Sequence, residues 1–126
     1  MSKIVFIEKT PDFYNLLSQN LSQEGFEVFS ASDGEQGLKL IAEKKPDIAI
    51  LDLILPKKDG IEILQEIKNS KEYKSVPIVI LVKPENLGEA EDALKLGATT
   101  YLVKANYRPE HIIKTIKTLL LNQNKK

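Results

Sequence analysis

The sequence predicts an α/β domain built on a doubly wound parallel sheet of five strands, and three observations predict it. Five short runs rich in branched apolar residues recur along the chain, helix-periodic segments separate them, and the third and fourth runs are apolar on both sides rather than alternating. A strand buried on both faces belongs to a parallel sheet covered by helices above and below.

The runs are Ile4–Ile7, Phe26–Phe29, Ile48–Leu51, Val76–Val82 and Tyr101–Val103. The first helix is expected after Pro11-Asp12, with Phe13, Leu16, Leu17 and Leu21 on one face and a stop at Gly25, a residue suited to a left-handed helix end. The second opens on Ser32-x-x-Glu35, a capping-box spacing, and carries Leu38, Ile41 and Ala42 inward to the stop at Pro46. The third follows Asp59-Gly60, where Gly60 reads as a turn glycine, and aligns Ile61, Leu64 and Ile67. The fourth spans about 87–96, buries Ala90, Ala93 and Leu94, and ends at Gly97. The fifth begins near Pro109 and aligns Ile112, Ile113, Ile116, Leu119 and Leu120. Right-handed crossovers leave few topologies for this alternation, and the flavodoxin-like order 2-1-3-4-5 is the one favoured for five strands.

A chain of 126 residues is near the commonest domain size, so residues 1–126 are expected to form one domain, with a core at about 3–121 and a polar, fraying tail at 122–126. Lys plus Arg and Asp plus Glu number 18 each, which leaves no long-range field to draw in nucleic acid or an acidic membrane surface. There is no cysteine, hence no thiolate nucleophile, disulfide or sulfur ligand. No apolar run approaches a membrane span or a signal-peptide core, and a cytoplasmic location is expected.

In open sheets of this kind ligands bind beyond the carboxyl ends of the strands, at the switch point between the first and third. Strand one ends at Glu8-Lys9, strand three at Asp52, strand four at Val82-Lys83 and strand five at Lys104. Two carboxylates and one or two ammonium groups are therefore expected to converge there. Each has a plainer reading: Asp52 as a cap for the following turn, Lys104 as a solvated lysine.

Taken together, Leu51-Asp52-Leu-Ile-Leu-Pro56-Lys-Lys-Asp59-Gly60, the strand-end acid Glu8, the Gly97-Ala98 pair and Tyr101-Leu-Val-Lys104 resemble the receiver domain of bacterial response regulators, the CheY-like fold. The resemblance runs from Lys3 to about Leu121. It implies a phosphorelay protein of two-component signalling and not an enzyme, with Asp52 as phosphoacceptor, Glu8 in the acidic pair beside it, and Lys104 pairing with the phosphoryl group. It also implies that Glu8, Asp52 and the Ile54 main-chain carbonyl hold Mg2+, and that Tyr101 is the aromatic switch, although a strand aromatic with a wet hydroxyl reads equally well. The implied partners are a histidine kinase or phosphotransfer protein, and a downstream protein on the face of the fourth helix, fifth strand and fifth helix.

Three positions depart from that pattern. Lys9 stands where a second acid is expected, Val82 where a Thr or Ser hydroxyl would catch the phosphoryl group, and Ala105 where proline is common. An acid-to-base exchange matters in such a site, because a charge pair at ~4 Å and an effective dielectric near 20 is worth on the order of 4 kcal/mol before desolvation. The Lys9 ammonium either bridges Glu8 and Asp52 in the cation's place or is carried outward into water by its flexible stem. Magnesium binding is expected to be weak or absent. The alternative function is a pseudo-receiver, a protein-binding module indifferent to phosphate. A flavin carrier or small enzyme on the same fold is disfavoured: no phosphate-cradling glycine run follows strand one, and the single histidine, His111, leaves a zinc site or triad short of parts.

Overall fold

The structure is a computed structural model that describes residues 2–55, 57–104 and 109–123. Five strands, β1 (Lys3–Ile7), β2 (Glu27–Ala31), β3 (Ile48–Asp52), β4 (Ile78–Val82) and β5 (Thr100–Val103), form one parallel sheet in the order β2-β1-β3-β4-β5. Between and after them run α1 (Pro11–Gln23), α2 (Gly34–Lys44), α3 (Gly60–Asn69), α4 (Leu87–Lys95) and α5 (Pro109–Gln123), with a 3-10 turn at Pro84–Asn86 ahead of α4. The expected fold and strand order are those observed.

The pleat sorts the core into two layers. Ile4, Phe6, Ile48, Ile50, Val79 and Leu81 point to one side, where Leu17 and Leu21 of α1 and Ile112, Ile116 and Leu120 of α5 cover them. Val5, Ile7, Ala49, Leu51, Ile78, Ile80 and Val82 point to the other, beneath α2, α3 and α4. Each fully buried Leu or Ile contributes about 1.5–3 kcal/mol over leaving it exposed. Such burial on both faces explains why β3 and β4 are apolar throughout.

Several local expectations are corrected. The cap of α2 is Asp33, not Ser32: its carboxylate accepts from the Gln36 N–H at 2.9 Å. Both residues are good caps, and Asp33 is the one that stands directly before the first helical residue, Gly34. Leu16, Ala42 and Leu94 are exposed, because in each helix the neighbouring positions already fill the contact with the sheet. β4 begins at Ile78, after Pro77, which has no N–H to donate to a ladder. α5 runs to Gln123, and residues 124–126 of the expected tail lie outside the described residues, as do Pro56 and Ala105. The backbone at Gly25 and Gly97 is left-handed, as their place at helix ends requires.

Gly60 has a stricter reason than a turn. A Cβ there would lie 2.5 Å from the Leu53 Cα and 2.8 Å from the Asp52 carbonyl oxygen, so only glycine lets α3 start directly behind the end of β3. The Gly60 N–H donates to the Leu53 carbonyl at 2.8 Å, and Asp59 with Glu62 closes a capping box over the same turn. Gly60→Ala should therefore destabilise the fold by about 1–3 kcal/mol despite alanine's better helix propensity. Gly88→Ala in α4, where an added Cβ meets nothing within 4 Å, should stabilise it by about 0.5 kcal/mol. Urea denaturation of the pair checks this, and equal signs for the two variants would contradict it.

Candidate functional site

The strand register assembles the site. β1 and β3 pair as Ile7↔Leu51, so one further residue on each sets Glu8 beside Asp52. Side-chain alternation does the rest: Glu8 follows Ile4 and Phe6, Asp52 follows Ile48 and Ile50, and Lys104 follows Leu102 on one side of the pleat, the side covered by α1 and α5. Three charged groups are thus delivered to one side of one sheet edge, while Val82 points to the opposite side.

Lys104 spans the two acids. Its Nζ lies 2.8 Å from Asp52 Oδ2 and 3.1 and 2.9 Å from Glu8 Oε1 and Oε2. Glu8 and Asp52 are only 2% and 3% exposed. Two backbone donors complete the arrangement: the Thr10 N–H donates to Glu8 Oε1 at 3.0 Å and the Ile54 N–H to Asp52 Oδ1 at 3.1 Å. Among the described residues Glu8 Oε2 accepts no well-directed hydrogen bond, and the Lys104 ammonium lies 2.9 Å from it. Neither Thr10 nor the Ile54 N–H was legible as a site group, since a backbone donor has no sequence signature.

Burial is the largest influence on Glu8 and raises its pKa; the neighbouring Asp52 charge adds to the rise, and the Lys104 and Thr10 hydrogen bonds offset it only in part. For Lys104 burial again ranks first and works downward, but its bonds to Asp52 and Glu8 prevail together and hold the ammonium above its ordinary value.

On its open side Asp52 lines a cleft of about 200 Å³ together with Lys9, Leu53, Ile54, Val82, Lys83, Glu85 and Asn86. Lys9 is exposed at the mouth and makes no salt bridge among the described residues. Of its two expected fates, the outward one is observed, and Lys104 is the ammonium that bridges Glu8 and Asp52. Val82 is buried, Lys83 is exposed, and Tyr101 is half-buried against the α2–α4 layer.

The donor set fits a divalent cation poorly. Among the described residues no three acidic, imidazole or thiol side chains converge. Both Asp52 oxygens are engaged, and an ammonium already lies between the two carboxylates. Magnesium needs an octahedron of hard oxygens, and two partly committed carboxylates offer a weak start.

The sequence matches the response regulator receiver domain family over residues 4–117. The chain belongs to that family. It is 34% identical over 118 residues to the alkaline phosphatase synthesis transcriptional regulatory protein PhoP of Bacillus subtilis (strain 168), a match covering 94% of this chain and 48% of that protein. The chain spans about half the length of the curated relatives it matches. A response regulator receiver domain protein from Clostridium thermocellum superposes with a TM-score of 0.89 at 28% identity over 98% of each chain. The receiver domain of a sensor histidine kinase from Pseudomonas aeruginosa PAO1, which has a magnesium ion coordinated in its active-site cleft, is alike in fold, with a TM-score of 0.85 at 24% identity over 94% of this chain and 97% of that one. Receiver domains serve two-component signalling alongside histidine kinases and downstream effectors. In this receiver no described helix is long and apolar enough to cross a membrane.

The shifted groups give the site a pH signature. Both folded-state values lie above the unfolded ones. The stability Glu8 contributes is complete below the ordinary carboxylate value and is lost as pH rises through its folded value. That of Lys104 is complete below the ordinary lysine value and is lost only in stronger base. Lys104→Met removes an influence that lowers Glu8, so the Glu8 carboxyl should titrate still higher than in the wild type. The fold should weaken by roughly 3 kcal/mol at neutral pH, less so in acid where Glu8 is protonated. Carboxyl-carbon NMR titration and urea denaturation read both effects, and a Glu8 signal unmoved by the substitution would contradict the coupling.

Proposed function

We propose that this receiver takes a phosphoryl group on Asp52 from a phosphohistidine of a histidine kinase or phosphotransfer protein, at a site altered by Lys9 and Val82. The observation that supports it is the Asp52 carboxylate itself, buried at the end of β3, oriented by Lys104 and the Ile54 N–H, and facing a cleft. A carboxylate attacking a phosphoryl group works against charge repulsion, and the Lys104 ammonium at 2.8 Å lessens it. One Asp52 oxygen forms the new O–P bond as the donor's P–N bond breaks, and the imidazole leaves with the nitrogen's electron pair. Glu8 keeps Lys104 charged and in place.

Output is assigned to the face made by α4, β5 and α5. Leu87 and Leu94 of α4 and Leu96 just past its end stand exposed, and Tyr101 on β5 is half-buried. A second reading, a phosphate-independent pseudo-receiver, is favoured by Val82, which has no hydroxyl to draw the following loop toward a phosphoryl oxygen. The two separate by partner binding: a partner that binds Asp52→Asn and the phosphorylated wild type equally well supports the second.

Phosphoramidate in magnesium-containing buffer should add one phosphoryl group to the wild type, seen by intact mass, and none to Asp52→Asn. Equal labelling of both proteins would place the phosphoacceptor elsewhere. The double variant Lys9→Asp/Val82→Thr should acquire magnesium-dependent NMR shifts at residues 8, 9 and 52 that the wild type shows far more weakly. If the double variant stays silent through a millimolar titration, the account of the altered site is wrong.

A further inference from the structure

From the poor fit to a divalent cation, and resting on the reading of Asp52 as phosphoacceptor, we infer that the chain supplies its own cation: Lys9, with Lys83 of the same cleft, closes on the phosphoryl group and makes its transfer to Asp52 independent of magnesium.

Three observations carry this. Lys9 and Lys83 line the same cleft as Asp52, so the volume that would receive the phosphoryl group is bounded by two ammonium-bearing side chains. Both are exposed, and neither enters a salt bridge among the described residues, so no competing carboxylate must be left behind. Glu85, on the 3-10 turn, is the remaining acid of the cleft, and Asn86 is turned toward Glu89 through a 3.0 Å hydrogen bond. Lys104 is already committed to Glu8 and Asp52, so it cannot neutralise all three oxygens of an incoming phosphoryl group alone. A dianion added beside Asp52 therefore meets two uncommitted ammonium groups on flexible four-carbon stems, each with three donors. Val82 contributes no hydroxyl and the Asn86 amide is engaged by Glu89, so on the cleft side the two lysines are the side chains left to donate to a phosphoryl oxygen.

The chemistry is the transfer already described: the O–P bond to Asp52 forms as the donor P–N bond breaks, and no further reactant is needed. The lysines act by charge and hydrogen bonding and exchange no atoms with the phosphoryl group.

The test is phosphoramidate labelling of the whole chain, followed by intact mass with and without a chelator. The wild type should label at rates within about threefold in the two buffers. In chelator, Lys9→Ala should be slower on the order of tenfold, Lys83→Ala by less, and Lys9→Arg should keep most of the rate. Because both side chains are exposed, the variants should fold as the wild type does. Wild-type labelling that occurs only with magnesium overturns the inference and leaves Asp52 as phosphoacceptor. Lys9→Ala labelling like the wild type in chelator overturns it too. Absence of labelling in both buffers overturns the phosphoacceptor reading, and the inference falls with it.

Discussion

Two carboxylates held side by side at a nearly dry sheet edge require a positive charge between them, and Lys104 supplies it. Without it, Glu8 and Asp52 would face each other across neighbouring strand ends, with desolvation and mutual repulsion both opposing ionisation. Other features of the site answer to this requirement. β5 must lie far enough along the sheet for a long side chain to reach back past β4, and the Thr10 and Ile54 N–H groups each hold one oxygen of the acids in position. Gly60 lets α3 begin against the backbone of Asp52 and Leu53, which pins the β3 end from behind.

The ion triad is a poor device for stability and a good one for chemistry. Burying three charges costs several kcal/mol in desolvation, and the attraction regained roughly offsets that cost. An apolar trio would hold the sheet edge at least as well. What the triad provides instead is a carboxylate kept in a defined direction beside a cleft, next to a cation, with one net negative charge left on the buried cluster. Such an arrangement repels a bare anion unless further positive charge enters the cleft with it.

Much of this was legible in the sequence because it depends on period and parity. Strand number, order and the convergence of residues 8, 52 and 104 follow from apolar runs of known length and from side chains alternating across a pleat. Less legible were matters decided by competition between near-equals. Ser32 and Asp33 can both cap α2, and which of them directly precedes Gly34, the first helical residue, is not written in the residue types. Leu16, Ala42 and Leu94 carry the right residue type for a core, but sit one step off the stripe that meets the sheet. Gly60 was read as a turn residue when its constraint is steric, arising from residues seven and eight positions earlier that no local pattern reveals.

Lys9 and Lys104 show how position, rather than residue type, assigns a role. Lys104 shares the pleat side of Glu8 and Asp52 and is fixed between them. Lys9 comes one residue after Glu8, is exposed, and enters no salt bridge among the described residues. Ordering a lysine side chain costs up to about 2 kcal/mol of rotamer entropy, so the single net negative charge that Glu8, Asp52 and Lys104 leave between them gives Lys9 little reason to fold inward. A phosphoryl dianion changes that balance, since it adds more charge than Lys104 can satisfy and does so inside a partly enclosed cleft where attraction is less screened. A tethered cation that enters only after the anion differs from a bound metal ion in one respect that matters for signalling. Its local concentration is set by the chain, so the response of such a site depends on the phosphodonor and not on the supply of free divalent cations.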